Sequence, residues 1–316
     1  MVSQNRVAVV AVGGNSLIKD KQHQSVPDQY QAVCETVKHV VNMIEQGWEV
    51  VLTHGNGPQV GFILLRSEAA LNSIHSVPVD SAVADTQGAI GYQFQMALHN
   101  EFLKRGMQKL AATVVTQVVV DPKDPAFLNP TKPIGPFMDE AQAQERSIKD
   151  GWDVMEDAGR GWRRVVASPK PQKIVELEAV RTLVHSGNVV IAVGGGGVPV
   201  VEDNGVYLGI AAVIDKDYAS GLLAANLHAD SFIISTAVEK VYINFGKPEQ
   251  KALDRVTISE AKKYMAEGHF AKGSMAPKVE AAIRFLEMGG SEAIITNPEN
   301  LSKAVRGEAG THFVHD

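Results

Sequence analysis

The chain has 316 residues, enough for one large domain or two lobes, and 45% hydrophobic with 21% charged residues excludes a disordered or fibrous protein. A formal net charge of −6 without any run of Lys and Arg excludes a protein that tracks nucleic-acid phosphates. The one cysteine, Cys34, leaves no internal disulfide to form; in its helical pattern it reads as a small core residue, in keeping with a reducing cytoplasm.

Residues 1–6 are mostly polar, and the apolar run 7–12 is too short and too β-branched for a signal-peptide core, so it reads as a buried strand. No stretch approaches the ~18 uninterrupted apolar residues of a membrane span. The first strand ends in Gly13-Gly14-Asn15, and Val33, Val37, Val40, Val41 and Ile44 then mark one face of a helix that begins near Asp28 and stops at Gly47. Residues 49–53 make a second strand, ending in His54-Gly55-Asn56-Gly57-Pro58, with a helix running on through Leu64 and Leu65. Asp80 reads as the cap of a helix that reaches Lys104 and closes at Gly106, and residues 111–120 as one further strand. Runs apolar on both faces predict a central parallel sheet.

From Asp121 the texture changes. Five prolines, Pro122, Pro125, Pro130, Pro133 and Pro136, punctuate a stretch without sheet periodicity that carries exposed-looking Trp152 and Trp162. Residues 121–165 therefore read as an inserted flap subdomain. Alternation then resumes with a strand at 189–193 ending in four glycines, 194–197, and a hairpin at 198–208 turning at Asp203-Asn204-Gly205. A helix follows Val213-Ile214-Asp215-Lys216-Asp217; strands at 231–235 and 292–296 and a helix at 275–288 complete the pattern. No repeat of fixed period and no low-complexity tract is present.

Three strands thus end in glycine-rich loops: Gly13-Gly14-Asn15, Gly55-Asn56-Gly57 and the glycines from Gly194 onward. In an open α/β sheet, ligands lie beyond the carboxyl ends of the strands, where free N–H groups and helix N-termini attract anions. One such loop is only a tight turn; three on one edge make a phosphate site. The familiar fingerprints fail: Gly246-Lys247 has Val241 where a Walker loop needs its first glycine, and Val60 stands where a dinucleotide fingerprint needs its third. Three lysines stand out as the cations that phosphoryl transfer needs: Lys216 between Asp215 and Asp217, Lys278 in the first turn of a helix, and Lys132 inside the proline-rich insertion. His54 reads as structural, His312 and His315 as an unsupported metal pair, and no protein metal site is expected.

In order along the chain, Ala11-Val12-Gly13-Gly14-Asn15, Thr53-His54-Gly55-Asn56-Gly57-Pro58-Gln59-Val60-Gly61, Thr86-Gln87-Gly88 and Gly91-Tyr92, Asn129-Pro130-Thr131-Lys132-Pro133-Ile134-Gly135, residues 194–199, Val213-Ile214-Asp215-Lys216-Asp217 and Gly273-Ser274-Met275 with Pro277-Lys278 closely resemble the carbamate kinases of the amino acid kinase family. The resemblance implies an α/β fold, an open αβα sandwich with a mainly parallel central sheet, and a homodimer. It divides the chain into a carbamate lobe of about 1–212, with the flap at about 121–165 inserted in it, and a nucleotide lobe of about 213–316. The implied reaction is ATP plus carbamate giving ADP plus carbamoyl phosphate, often run toward ATP in arginine catabolism. Mg²⁺ would be held by the ATP phosphates, since the sequence offers no carboxylate cluster for it.

Carried onto this chain, the resemblance makes Lys216 and Lys278 grip the transferring phosphate, Asp217 orient both ammonium groups, and Lys132 swing in with the insertion. Gly13, Gly14, Asn15, Gly55, Asn56 and Gly57, with Gly195 and Gly196, would supply backbone or amide donors to substrate phosphate. Ala237, Tyr242, Phe245, Gly246 and Met275 would border the nucleotide. Two departures stand out: Ala276, where many relatives have glycine, and Asp85, a carboxylate where they are usually neutral. Three other readings compete: a kinase for another small acid of the family, a non-catalytic sensor of nucleotide or carbamoyl phosphate, and a nicotinamide-dependent oxidoreductase. The insertion argues against the first, the full set of charged site residues against the second, and the failed fingerprint against the third.

Overall fold

The computed structural model of the chain describes residues 6–14, 17, 18, 20, 22–156, 161–271 and 273–316. Its centre is an eight-stranded sheet in the order Arg255–Thr257, Thr311–Val314, Ala293–Thr296, Ser231–Ser235, Arg6–Val12, Trp48–His54, Val189–Ile191 and Ala111–Thr113. Every pairing in it is parallel except that of Ala293–Thr296 with Thr311–Val314. The strand Arg6–Val12 shows why its sequence is apolar without alternation. Ala8, Val10 and Val12 join Val33, Phe94 and Leu98 on one face, while Val9 and Ala11 join Leu223, Phe232 and Phe285 on the other. A strand buried on both faces has no polar side to show, and the open αβα sandwich follows from helices covering both. Truncating a fully buried side chain such as Phe94 to alanine costs about 3–5 kcal/mol in such a core.

The helix Val26–Glu45 begins at a capping box in which Ser25 and Asp28 satisfy each other's backbone N–H groups, and its apolar face is the one read from sequence. Cys34 is half-buried against the same cluster. The helix Val79–Arg105 closes at Gly106 in the left-handed region, as expected. Its start differs from the sequence reading: Pro78 occupies the cap and Asp80 sits inside the first turn, because Pro78 already holds the extended geometry a cap requires.

The expected strand 111–120 is two strands in two sheets. Ala111–Thr113 edges the central sheet, while Gln117–Val120 joins a four-stranded sheet with Val206–Gly209, Val198–Asp203 and Pro171–Ile174. The switch falls at Thr116, whose N–H donates to Gln87 Oε1 and whose carbonyl accepts from Gln87 Nε2. A side chain satisfying both backbone groups releases the chain from the first ladder. The hairpin turns at Asn204 and Gly205, both with positive φ, as its sequence requires.

The insertion also has more order than its prolines suggest. Lys132–Met138, Trp162–Val166 and Asp153–Glu156 form a three-stranded antiparallel sheet, and the helix Glu140–Asp150 starts at a capping box on Asp139. The sheet is thinly buried, so no apolar alternation announces it. Trp152 and Trp162 are half-buried rather than exposed, and the Trp152 ring lies between the guanidinium groups of Arg146 and Arg164, 4.8 and 4.7 Å from its centroid.

Candidate active site

The strands Arg6–Val12, Trp48–His54 and Ser231–Ser235 bring Gly13, Gly55 and Thr236 to one edge of the sheet. There the helix Lys216–Leu227 begins. Asp215 caps it, its Oδ1 accepting the Asp217 N–H at 2.9 Å, and this turn folds Lys216 and Asp217 back toward the glycines. Ser220 Oγ donates to the Lys216 carbonyl and lies 2.6 Å from Thr53 Oγ1, tying the turn to the neighbouring strand. The stem of Lys216 runs beside Gly55, where an added Cβ would stand 3.6 Å from its Cε.

Asp217 is buried, and both of its oxygens are used. The Lys216 ammonium donates to Oδ1 at 2.5 Å, and the Lys278 ammonium, from the first turn of the helix Met275–Glu287, donates to Oδ2 at 2.8 Å. Lys132 enters from the insertion and donates to Asp215 Oδ2 at 3.2 Å. Burial alone would push the Asp217 carboxyl up, but the two ammonium groups outweigh it and hold it well below the usual carboxylate range. Lys216 is held below the ordinary lysine value, first by burial and then by Lys278, with Asp217 opposing. Three cations, Lys132, Lys216 and Lys278, around two anions, Asp215 and Asp217, leave one net positive charge beside a cavity of about 400 Å³.

Gly13, Gly14, Lys216, Asp217, Ala237 and Lys278 all line that cavity, joined by Asp215, Thr236, Gly273 and Ser274. Gly13 has a steric reason to be glycine, since a Cβ there would stand 2.8 Å from the Ser235 carbonyl oxygen. Asn15 lies outside the described residues. Asn56 donates to Thr86 Oγ1 at 2.8 Å, and Thr86 passes the bond to the Val83 carbonyl. Gly195 and Gly196 take another place than the cavity wall: at φ +68° and +96° they pack against the Asn56 amide and the Ile214 carbonyl, where added Cβ atoms would stand 2.0 and 2.4 Å away. Gly57 is exposed and opens the helix Gly57–Ala69. Tyr242 and Phe245 face each other with ring centroids 6.0 Å apart, Phe245 largely exposed, and Gly246 turns that segment at positive φ. Met275 starts the helix that carries Lys278.

Asp215, Gln87 and Thr86 do more in the structure than their sequence setting announces. Asp215 both caps a helix and holds Lys132; the Asp-Lys-Asp spacing carries that signal through the capping rule. Gln87 and Thr86 brace the glycine loops from a helix face, a role that their place among the resembling strings does not reveal. His54 is structural as read, but unusual: its Nδ1 donates to the Gly55 carbonyl at 3.0 Å, while Nε2 is buried against Gly194 with no hydrogen-bond partner among the described residues. Burial first, then the charge of Lys216, push it down to about 4. No group of three or more His, Cys, Asp or Glu suited to a metal ion occurs among the described residues, and His312 instead pairs with Glu292.

Paired lysines on a shared carboxylate, glycines at the strand ends and two helix N-termini around one cavity make a site for a phosphoryl group passing between two anions. The chain belongs to the amino acid kinase family, whose profile matches residues 6–297. Within it, the chain is 53% identical to the carbamate kinase-like protein YahI of Escherichia coli, covering 98% of each chain. It is 50% identical to the carbamate kinase of Thermococcus kodakarensis, covering 98% of this chain and 99% of that one. The solved structure of carbamate kinase from Giardia lamblia bound to AMP-PNP superposes with a TM-score of 0.94 at 40% identity, covering all of both chains.

Proposed function

We propose that the chain is a phosphotransferase acting on carbamate: ATP plus carbamate gives ADP plus carbamoyl phosphate, reversibly. The observation that carries this reading is the Asp217 carboxylate holding Lys216 and Lys278 at one cavity while Lys132 stands on the adjacent Asp215. The carbamate oxygen is already anionic. It forms a bond to the γ-phosphorus as the bond from phosphorus to the ADP oxygen breaks, so no general base or phosphoenzyme is needed. Lys216 and Lys278 neutralise charge on the equatorial and leaving oxygens, and Lys132 neutralises the carbamoyl side. Gly13, Gly14, Asn15, Gly55, Asn56 and Gly57, with Gly195 and Gly196, supply donors to the substrate phosphate, and Gly195 also packs against the Asn56 amide.

Ala237, Tyr242, Phe245, Gly246 and Met275 border the nucleotide in a lobe of about 213–316; the lobe of about 1–212, with the insertion at about 121–165, takes the acceptor. Mg²⁺ fits as an ion carried in on the nucleotide. The carboxylate oxygens of Asp215 and Asp217 are already engaged by N–H donors, and the ion would supply neutralisation of the phosphate oxygens beside them. A cytoplasmic homodimer making ATP during arginine breakdown is the setting this reading expects. A coupled assay of ATP formation from ADP and carbamoyl phosphate tests it, run beside acetyl phosphate and other acyl phosphates. Carbamoyl phosphate should be the preferred donor; absence of ATP under every divalent-metal condition favours a sensor instead.

A further inference from the structure

Under the insertion, and apart from the cavity of Lys216, lies a second one of about 580 Å³, a size usual for small-molecule sites. Its charges divide into satisfied and unsatisfied groups. Arg146 is spoken for, donating to Glu68 at 2.9 Å and to Asp150 at 2.7 Å. Arg164 is not. It is half-buried, its guanidinium lies over the Trp152 ring, and no hydrogen bond or ion pair to it occurs among the described residues. Burial pushes it down, with only the distant fields of Glu68, Asp150 and Asp153 opposing. Asp80, half-buried in the first turn of Val79–Arg105, likewise has no hydrogen-bonded or ion-paired partner among the described residues, and its carboxylate rests against Gly209. The two line one cavity without meeting each other.

A half-buried cation and a half-buried anion, neither with a hydrogen-bonded or ion-paired partner among the described residues, cost the fold desolvation that the Trp152 ring and the fields of Glu68, Asp150 and Asp153 offset only in part. The same wall carries apolar Leu64, Leu71 and Val77, while its other charges, Arg146, Glu68 and Asp150, are paired with one another. We propose that this cavity binds a free α-amino acid with an apolar side chain, its carboxylate on the Arg164 fork and its ammonium on Asp80. The occupant would join the insertion to the start of Val79–Arg105. Arg164 stands opposite Ile134, two residues along the same pair of strands from Lys132 opposite Val166. Binding therefore bears on where Lys132 stands, while the binding itself is independent of the reaction assigned to the other cavity.

Isothermal titration of the full chain with L-leucine tests this, beside 4-methylpentanoate, which lacks the ammonium, and 3-methylbutylamine, which lacks the carboxylate. Leucine should bind with a millimolar or lower Kd, and each analogue about tenfold or more weaker, since each leaves one buried charge unpaired. Arg164→Leu and Asp80→Asn should each weaken leucine by a similar factor and leave turnover without leucine unchanged. If Arg164→Leu lowers the melting temperature, the near-isosteric Asp80→Asn carries the comparison alone. No leucine binding, leucine binding indifferent to Asp80→Asn, or equal binding of 4-methylpentanoate would each overturn the proposal, the last leaving a plain anion site.

Discussion

Lys278 and Asp217 belong to the first turns of two different helices, and the 2.8 Å bond between them fixes the distance between those helices at the cavity. The same carboxylate holds Lys216 through its other oxygen, so one buried anion sets the spacing of two cations. Asp217→Asn keeps the shape and removes the charge. The expected loss in kcat is about 100-fold or more, the scale of losing one transition-state donor, with about 3 kcal/mol of stability lost because two buried cations lose the anion they share. Steady-state rates and a denaturant titration check both.

Lys216 gives the alkaline side of the rate profile. Its folded value lies below the ordinary 10.5, so as pH rises the ammonium discharges first in the folded protein and the rate should fall before pH 10.5. In that window the unfolded chain binds more protons than the folded one, so stability from this group rises with pH. Rate should therefore drop without a matching drop in melting temperature, and Lys216→Arg, whose charge is permanent, should lose this limb. A fall in rate that tracks unfolding would contradict the assignment.

Asp215 positions Lys132, and the two should be coupled. Asp215→Asn keeps an oxygen to cap the helix but loses the charge that draws the insertion's lysine in. Lys132→Ala and Asp215→Asn should each lower kcat/KM for carbamoyl phosphate about tenfold or more, with the double variant little worse than either alone. Effects that multiply in the double variant would separate the two residues. A raised Mg²⁺ requirement in Asp215→Asn alone would make Asp215 a metal group instead.

His54 should make the protein acid-sensitive. Its folded value of about 4 lies below the ordinary 6.5, so below pH 6.5 the unfolded chain takes up a proton that the folded chain refuses. Stability should fall between pH 6.5 and 4 by about 3 kcal/mol from this group. Denaturant titrations across that range measure it, and in His54→Asn, which retains a donor for the Gly55 carbonyl, the pH slope should shrink.

The sheet was legible because strands buried on both faces, such as Arg6–Val12, must be apolar throughout, and the glycine loops because Gly13 sits too close to Ser235 for a side chain. The lysines were legible through their settings, Lys216 between two aspartates and Lys278 in a first turn. What escaped depends on tertiary partners. Gln87 breaks the strand at Thr116 from a helix distant in sequence, and the insertion's strands bury too little to alternate. The closeness of Asn56 and Ile214 to Gly195 and Gly196 is likewise a tertiary fact that no local pattern announces.

The most direct test is the initial rate of ATP formation from ADP and carbamoyl phosphate, measured side by side for the natural chain and Lys216→Ala. The expected result is ready turnover by the natural chain and a loss of about 100-fold or more in the variant, with its fold retained. Near-normal turnover by Lys216→Ala, or none by the natural chain with Mg²⁺ present, would contradict the account.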